Sequence, residues 1–125
     1  MLKLRMNSII QKSSDAYEIG TITYNPDSDC SFSSGNKIYK FGNIGILRLI
    51  ITTLPATSGS KTRTIINSMS IKPVNLQSVN VALRNSSSQA VEGYINIDTN
   101  GSVQICNIDT INQQAVRELI VFPLV

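Results

Sequence analysis

The sequence predicts an all-β fold, a single antiparallel β-sandwich of jelly-roll-like type, and three observations favour it. Apolar residues recur with period two over most of the 125-residue chain, which is the spacing of strands with one buried face. Short clusters of Ser, Asn, Gly and Pro, the usual turn formers, separate these runs. Charged residues make up only 15% of the chain, below the roughly 25% of average globular proteins, whereas long solvated helices usually carry more Glu and Lys.

Four strands are predicted before residue 72. Thr21–Tyr24 ends at the turn Asn25–Asp29, and Lys37–Phe41 follows a serine-rich loop. Ile44–Thr53 is apolar on both faces, which predicts a central strand or one that crosses an interface. The fourth strand is Arg63–Ile71. Apolar residues with helical spacing occur only within residues 112–120, where they cover a single helical turn.

The strand pairing in the last third of the chain follows from which side chains share a face, because directly opposite residues of an antiparallel pair lie on the same face of the sheet. A two-residue loop would set apolar against polar side chains, whereas a three-residue loop pairs Ile97 with Val103. We therefore predict a three-stranded meander, Val79–Asn107, with a type I turn at Asn100 and Gly101 as the left-handed residue of a G1 bulge. The same arithmetic predicts three further pairs: Ile95 with Ile105, Leu83 with Val91, and Val81 with Gly93.

The residues offer little support for catalysis. The chain contains no histidine, which removes the commonest general base, the Ser–His and Cys–His pairs and the commonest zinc ligand. The acids Asp27 and Asp29 sit in a loop where a turn is a better interpretation than a calcium site. Cys30 and Cys106 could pair, but two half-buried small residues are the favoured interpretation. We predict no enzyme, cofactor or metal.

Charge and hydropathy limit the partners. The net charge of +3 is spread along the chain without a basic block or interleaved aromatic residues, which argues against nucleic acid as a partner. The most apolar stretch, Ile44–Ile51, contains Arg48 and is too short to span a bilayer. The N-terminus lacks the apolar segment of a signal peptide. We therefore expect a soluble protein that does not insert into membranes.

One surface has a chemistry that suggests binding. By the predicted register, the polar face of the meander carries Asn80, Glu92, Tyr94, Asn96, Asp98 and Gln104. The predicted binding residues among them are Asn80, Tyr94, Asn96 and Gln104. An aromatic ring flanked by amides suits a sugar, because the ring stacks on a pyranose C–H face and the amides hydrogen-bond to hydroxyls. The alternative interpretation is an ordinary solvent-facing sheet.

The segment Gly93-Tyr-Ile-Asn-Ile-Asp-Thr-Asn-Gly-Ser-Val-Gln-Ile105 resembles the C-terminal head domains of bacteriophage tail-fibre and receptor-binding proteins. Those heads repeat a "G-x-I-x-I-x-x-N-G-x-I-x-I" hairpin and end on an aromatic–Pro dipeptide, here Phe122-Pro123. Gly42-Asn43-Ile44 and Ile71-Lys72-Pro73 are similar to two earlier steps of the pattern.

The resemblance implies a homotrimeric β-sandwich head, residues 19–125, on a virion at a tail-fibre tip or baseplate. Residues 1–18 would be an arm or strand that joins a fibre or partner. The implied partners are other copies of the chain, other virion or fibre proteins and a host-surface glycan. Trimer contacts are expected from the doubly apolar strands Ile44–Thr53 and Leu119–Val125. The interface residues predicted from them are Leu47, Leu49, Ile51, Ile120, Phe122 and Leu124.

Three other functions compete with a trimeric adhesin that binds a host saccharide. A purely structural fibre-cap or decoration trimer would bind no ligand. A monomeric carbohydrate-binding module would depend on Tyr94. A hydrolase, the least supported class, would need two carboxylates brought together across the sandwich.

Overall fold

The computed structural model describes residues 17–125. This range forms ten β-strands and one short 3-10 helix, Pro26–Ser28. The strands are β1 (Tyr17–Ile19), β2 (Ile22–Tyr24), β3 (Ser31–Phe32), β4 (Lys37–Phe41), β5 (Ile44–Leu54), β6 (Lys61–Met69), β7 (Gln77–Arg84), β8 (Ala90–Ile97), β9 (Val103–Asn107) and β10 (Gln114–Pro123).

The strands assemble into two antiparallel five-stranded sheets that pack face to face, which confirms the predicted all-β sandwich. Sheet A has the order β1-β4-β5-β10, and β3 pairs with the C-terminal part of β5. Sheet B has the order β2-β6-β9-β8-β7. The helical spacing within residues 112–120 does not produce a helix: Gln114–Pro123 is an extended strand that pairs with β5.

The core lies between the two sheets and is almost entirely aliphatic. Every second residue of β5 points inward, so that Leu47, Leu49 and Ile51 have no exposed surface. Sheet B contributes the inward faces of β6, β8 and β9, including Ile95 and Ile105. At roughly 25 cal/mol per Å² of apolar surface, burial on this scale is the main stabilising contribution to the fold.

The meander has the predicted register. Ile97 pairs with Val103. Ile95 with Ile105, Leu83 with Val91, and Val81 with Gly93 also pair as predicted. Gly101 has a φ of 85° and donates its N–H to the Asp98 carbonyl at 2.9 Å, while the Asp98 N–H donates to the Ser102 carbonyl at 2.9 Å. These two bonds define the predicted turn and G1 bulge, so that this prediction is confirmed.

The predicted oligomer interface is wrong in its choice of side chains. Leu47, Leu49, Ile51, Ile120 and Phe122 are at most 3% exposed and form the core of a single chain, and Leu124 is half-buried against that core. Side chains that are buried inside one protomer cannot contact another. The predicted strand Ile44–Thr53 matches β5, and the predicted strand Leu119–Val125 overlaps only the C-terminal part of β10. Both segments are apolar on both faces, so the sequence pattern left open which face is internal.

The predicted arm, residues 1–18, lies outside the described residues except for its last two positions. Those two belong to the sandwich, since β1 pairs with β4 and sets Glu18 opposite Lys40. Within residues 17–125, no helix is long and apolar enough to cross a membrane.

Candidate functional site

The outer face of sheet B is polar and is organised in cross-strand rows. One row contains Asn80, Tyr94, Cys106 and Thr62 from four neighbouring strands. The next row contains Ser78, Asn96, Gln104 and Thr64. Each row is the set of residues that antiparallel pairing places opposite one another, and therefore on one face.

A third, shorter row closes this face at the hairpin end. Leu76 directly precedes β7 and comes opposite Asp98, because Gln77 pairs with Ile97. Asp98 lies opposite Ser102 across the β8–β9 loop. The row with Asn96 and Gln104 and the row with Leu76, Asp98 and Ser102 are therefore neighbours at the β8–β9 loop.

A depression of about 190 Å³ lies at this meeting point. It is lined by Leu76, Asn96, Asp98, Ser102 and Gln104. Typical drug-sized sites begin at about 300 Å³, so this one suits a small unit such as a single sugar ring. We refer to it as the amide depression.

The β8–β9 loop fixes one wall of the amide depression. The Asn100 Oδ1 accepts a hydrogen bond from the Ser102 N–H at 2.9 Å, and the Asp98 Oδ1 accepts one from the Thr99 N–H at 2.7 Å. Gly101 is buried against Met69 at the end of β6. The backbone carrying Asp98 and Ser102 is therefore held by the turn itself and by the neighbouring strand.

The chemistry of the amide depression combines hydrogen bonding with one apolar side. Asn96 and Gln104 each offer a donor and an acceptor, and Ser102 offers a hydroxyl. Leu76 is 60% exposed and provides the apolar side. Asp98 provides the single charge among the lining side chains. This set can hydrogen-bond to a polyhydroxylated ring while one face of the ring contacts Leu76.

The structure brings together two of the four predicted binding residues. Asn96 and Gln104 line the amide depression, whereas Asn80 and Tyr94 lie one row away on the same face. The Tyr94 hydroxyl donates to the Glu92 carboxylate at 2.5 Å, and this hydrogen bond raises the pKa of Tyr94 above its ordinary value. The Tyr94 hydroxyl is therefore already engaged with a neighbour.

The sequence interpretation missed Leu76 and Ser102 as members of the site, and it placed Asp98 on the polar face without choosing it as a binding residue. A signal for Leu76 was present, because it has the parity of Asn80 and therefore faces the same way. Ser102 carries no such signal, since its position depends on the geometry of the loop rather than on alternation.

The outer face of sheet A has the opposite character. Ile19, Tyr39, Ile46 and Val121 form one row across all four main strands. Phe41 and Ile44 continue it toward the next row. Ile19, Ile44 and Val121 are 51%, 45% and 57% exposed. We call these six residues the apolar patch, and exposed apolar side chains grouped on one sheet face, such as Ile19, Ile44 and Val121, are typical of interaction sites.

The two cysteines are free thiols: Cys30 directly precedes β3 of sheet A, and Cys106 belongs to β9 of sheet B. Cys30 packs against the core, and its burial raises the pKa of the thiol. Cys106 lies on the outer face opposite Tyr94. The favoured interpretation of two half-buried small residues agrees with this arrangement.

The acidic loop is a turn. The Asn25 Oδ1 accepts a hydrogen bond from the Asp27 N–H at 3.1 Å and caps the 3-10 helix, while Asp29 follows it in the left-handed conformation. Across residues 17–125, no group of three or more Cys, Asp or Glu side chains could hold a metal ion.

No protein-family model matches the sequence, and no curated protein and no solved structure is significantly similar to it.

Proposed function

We propose that this chain is the head of a phage virion adhesin, at a tail-fibre tip or baseplate, and that it binds a host-surface saccharide. The observation that carries the proposal is the amide depression, where the side chains of Asn96, Gln104 and Ser102 surround the exposed Leu76. The resemblance of the β8–β9 hairpin to phage heads supports the viral part of the proposal.

The ligand class follows from the lining groups. A saccharide presents hydroxyls on its rim and C–H groups on one ring face, and the amide depression offers amides, a hydroxyl and one apolar side chain. A purely apolar ligand would leave the amides of Asn96 and Gln104 without partners, at a cost of roughly 1–3 kcal/mol each.

The apolar patch supports the second part of the proposal, a homotrimer. Specific interfaces bury about 800 Å² per partner around an apolar centre with a polar, solvent-accessible rim, and the apolar patch would form that centre. The second copy of this chain would cover Ile44 and Val121, which the protomer leaves exposed. The amide depression lies on the opposite sheet and would stay accessible.

A structural trimer is the second candidate, and the apolar patch favours it. Assembly through this patch requires no ligand, so a fibre-cap or decoration protein would need the same exposed side chains. The two candidates differ only in what the amide depression does.

The first experiment measures binding and mass on the same preparations. Light scattering gives the mass of the chain, and calorimetry tests a panel of neutral mono- and disaccharides. We expect a mass of three chains and a sugar affinity that Gln104→Ala weakens about tenfold or more, the loss expected for a specific hydrogen bond pair. Asn80→Ala, on the same face but outside the amide depression, is the matched control.

The other possible results of the mass and binding measurements each support a different function. A trimer that binds none of the sugars supports the structural candidate. A monomer that binds sugar supports a carbohydrate-binding module instead. If Asn80→Ala weakens binding as much as Gln104→Ala does, the amide depression is not the site.

A matched pair of variants tests the apolar patch. Ile44 and Val74 are both 45% exposed, but only Ile44 belongs to the apolar patch. We expect Ile44→Ser to reduce the mass to that of one chain and Val74→Ser to leave the trimer intact. A trimer in both variants would place the interface elsewhere.

A further inference from the structure

The outer face of sheet A carries a row of basic side chains beside the apolar patch. Lys37 on β4 lies directly opposite Arg48 on β5. Arg48 in turn lies opposite Leu119 on β10, and Arg117 is two residues from Leu119 on the same strand. By ordinary sheet geometry, Lys37 and Arg48 have their Cβ atoms about 5 Å apart, and Arg48 and Arg117 are diagonal neighbours about 7–8 Å apart.

These three cations have no counterpart in the part of the chain that the structure describes. The side chains of Lys37, Arg48 and Arg117 form no hydrogen bond or ion pair with other residues of 17–125. Like charges that face each other directly across a strand pair destabilise a sheet. A bound anion would offset that repulsion.

A depression of about 300 Å³ lies at the two arginines. Its lining consists of Arg48, Ile50, Arg117, Glu118 and Leu119. Two guanidinium groups are therefore combined with two apolar side chains, one of which, Leu119, is 67% exposed.

Glu118 brings a carboxylate to the edge of this depression. In the register it lies opposite the core residue Leu49, so its side chain leaves β10 toward the face opposite to that of Arg117. The two arginines, in contrast, start from the outer face, as do Ile50 and Leu119.

We propose that this arginine depression binds an acidic saccharide, with the anionic group held by Arg48 and Arg117 and the sugar ring resting on Leu119 and Ile50. Guanidinium groups match carboxylate and phosphate oxygens with paired N–H donors. The apolar side chains suit the C–H face of a ring. The amide depression has the opposite preference, because its only charged lining group is the carboxylate of Asp98.

The two sites can therefore be separated by ligand charge. The test is a calorimetric titration of the full-length chain with glucuronate, glucose 1-phosphate and glucose at constant ionic strength. Glucuronate and glucose 1-phosphate distinguish carboxylate from phosphate as the preferred anion, and glucose shares the ring without the charge. We expect at least one of the acidic sugars to bind at least about tenfold more tightly than glucose.

The matched variants are Arg117→Gln and Lys61→Gln. Each removes one positive charge, but Lys61 is an exposed residue of sheet B. We expect Arg117→Gln to weaken acidic-sugar binding about tenfold or more and Lys61→Gln to leave it within about twofold, as befits a distant, screened charge. Arg117→Lys, which keeps the charge but loses the paired donors, should fall between them.

A thermal melt at low salt separates a binding role from a structural one. Arg48→Gln removes the repulsion with Lys37, so its melting temperature should equal or exceed that of the wild type while acidic-sugar binding is lost. A lower melting temperature together with unchanged binding would overturn the proposal. Equal affinities for the acidic sugars and glucose, or equal losses in Arg117→Gln and Lys61→Gln, would also overturn it.

The outcome is independent of the amide depression. Gln104→Ala should leave acidic-sugar binding unchanged, and a chain that binds no neutral sugar can still bind an acidic one. Loss of acidic-sugar binding in Gln104→Ala would instead assign both sugars to one site on sheet B.

Discussion

The two hairpin loops of the meander have the same backbone geometry but different surroundings. In the β8–β9 loop, Gly101 donates to Asp98 at 2.9 Å, and in the β7–β8 loop, Ser88 donates to Asn85 at the same distance. Both donors are left-handed, with φ values of 85° and 59°. The first loop has glycine at this position and is buried there, whereas the second has serine and is exposed.

The difference shows which loop is held by the rest of the protein. A Cβ on Gly101 would lie 2.7 Å from both the backbone N and O of Met69, so that loop packs directly on β6. Ser88 has space for its side chain and is stabilised by its own turn. The packed loop is also the one that carries Asp98 and Ser102 of the amide depression, and the open loop is therefore a natural control for it.

The largest effect is expected for Gly101→Ala. The left-handed backbone costs a non-glycine residue about 1–2 kcal/mol, and the clash with Met69 adds roughly 1–3 kcal/mol. We expect the free energy of unfolding, measured by urea denaturation, to fall by about 2–5 kcal/mol. Displacement of Asp98 and Ser102 should also weaken sugar binding in the amide depression.

Gly42→Ala is the matched control for this change. Gly42 also has a positive φ, 55°, but a Cβ there would meet nothing within 4 Å. Only the backbone cost of about 1–2 kcal/mol applies, and sugar binding should not change. Equal losses of stability in the two variants would show that contact with Met69 does not hold the β8–β9 loop.

A smaller loss is expected for Asn85→Ala in the open loop. The Asn85 Oδ1 accepts hydrogen bonds from the N–H groups of Ser87 and Gln89 at 2.9 and 3.0 Å. Losing two exposed turn bonds should lower the free energy of unfolding by about 1 kcal/mol in urea denaturation. Sugar binding should be unaffected, since this loop lies at the other end of the meander.

Asn85→Asp tests whether those two bonds are the cause. The carboxylate keeps an acceptor at the same position, so the free energy of unfolding should stay within about 0.5 kcal/mol of the wild type. A loss as large as that of Asn85→Ala would assign the effect to the amide N–H group, which donates to the Gln89 side chain at 3.1 Å.

The meander could be predicted residue by residue because each of its strands has one apolar and one polar face. With that asymmetry, a three-residue loop sets Ile97 opposite Val103 on the apolar face, whereas a two-residue loop would set apolar against polar side chains. The register of the meander follows from this choice. Parity also places Asn96 beside Gln104, the part of the candidate site that was predicted correctly.

The same reasoning fails on β5 and β10 because they lack this asymmetry. Leu47 and Ile46 are adjacent and equally apolar, yet one is in the core and the other belongs to the apolar patch. Which of two apolar faces is internal depends on where the second sheet packs, and this information is distributed over the whole chain. The predicted interface therefore consists of inward-facing residues of β5 and β10, and the apolar side chains on the outer face of these strands were left out of it.

The two depressions depend on contacts that no single strand encodes. The amide depression needs Leu76, from outside the meander strands, to come opposite Asp98. The arginine depression needs β10 to pair with β5 so that Arg117 comes near Arg48, although these residues are far apart in sequence. Such long-range pairings are set by packing of the complete sandwich rather than by local pattern.

The smallest effect, and the only gain, is expected for Ser88→Gly. Glycine removes the left-handed strain of about 1–2 kcal/mol, but it gives the unfolded chain more conformational freedom, which costs about 0.5–1 kcal/mol. The net result should be a rise of about 0.5 kcal/mol in the free energy of unfolding, seen as a higher urea midpoint with an unchanged slope. The Arg84 hydrogen bond to the Ser88 carbonyl, 3.0 Å long, involves the backbone and should persist. A lower midpoint would mean that the serine side chain stabilises the open loop, and that the two loops differ in more than their contact with β6.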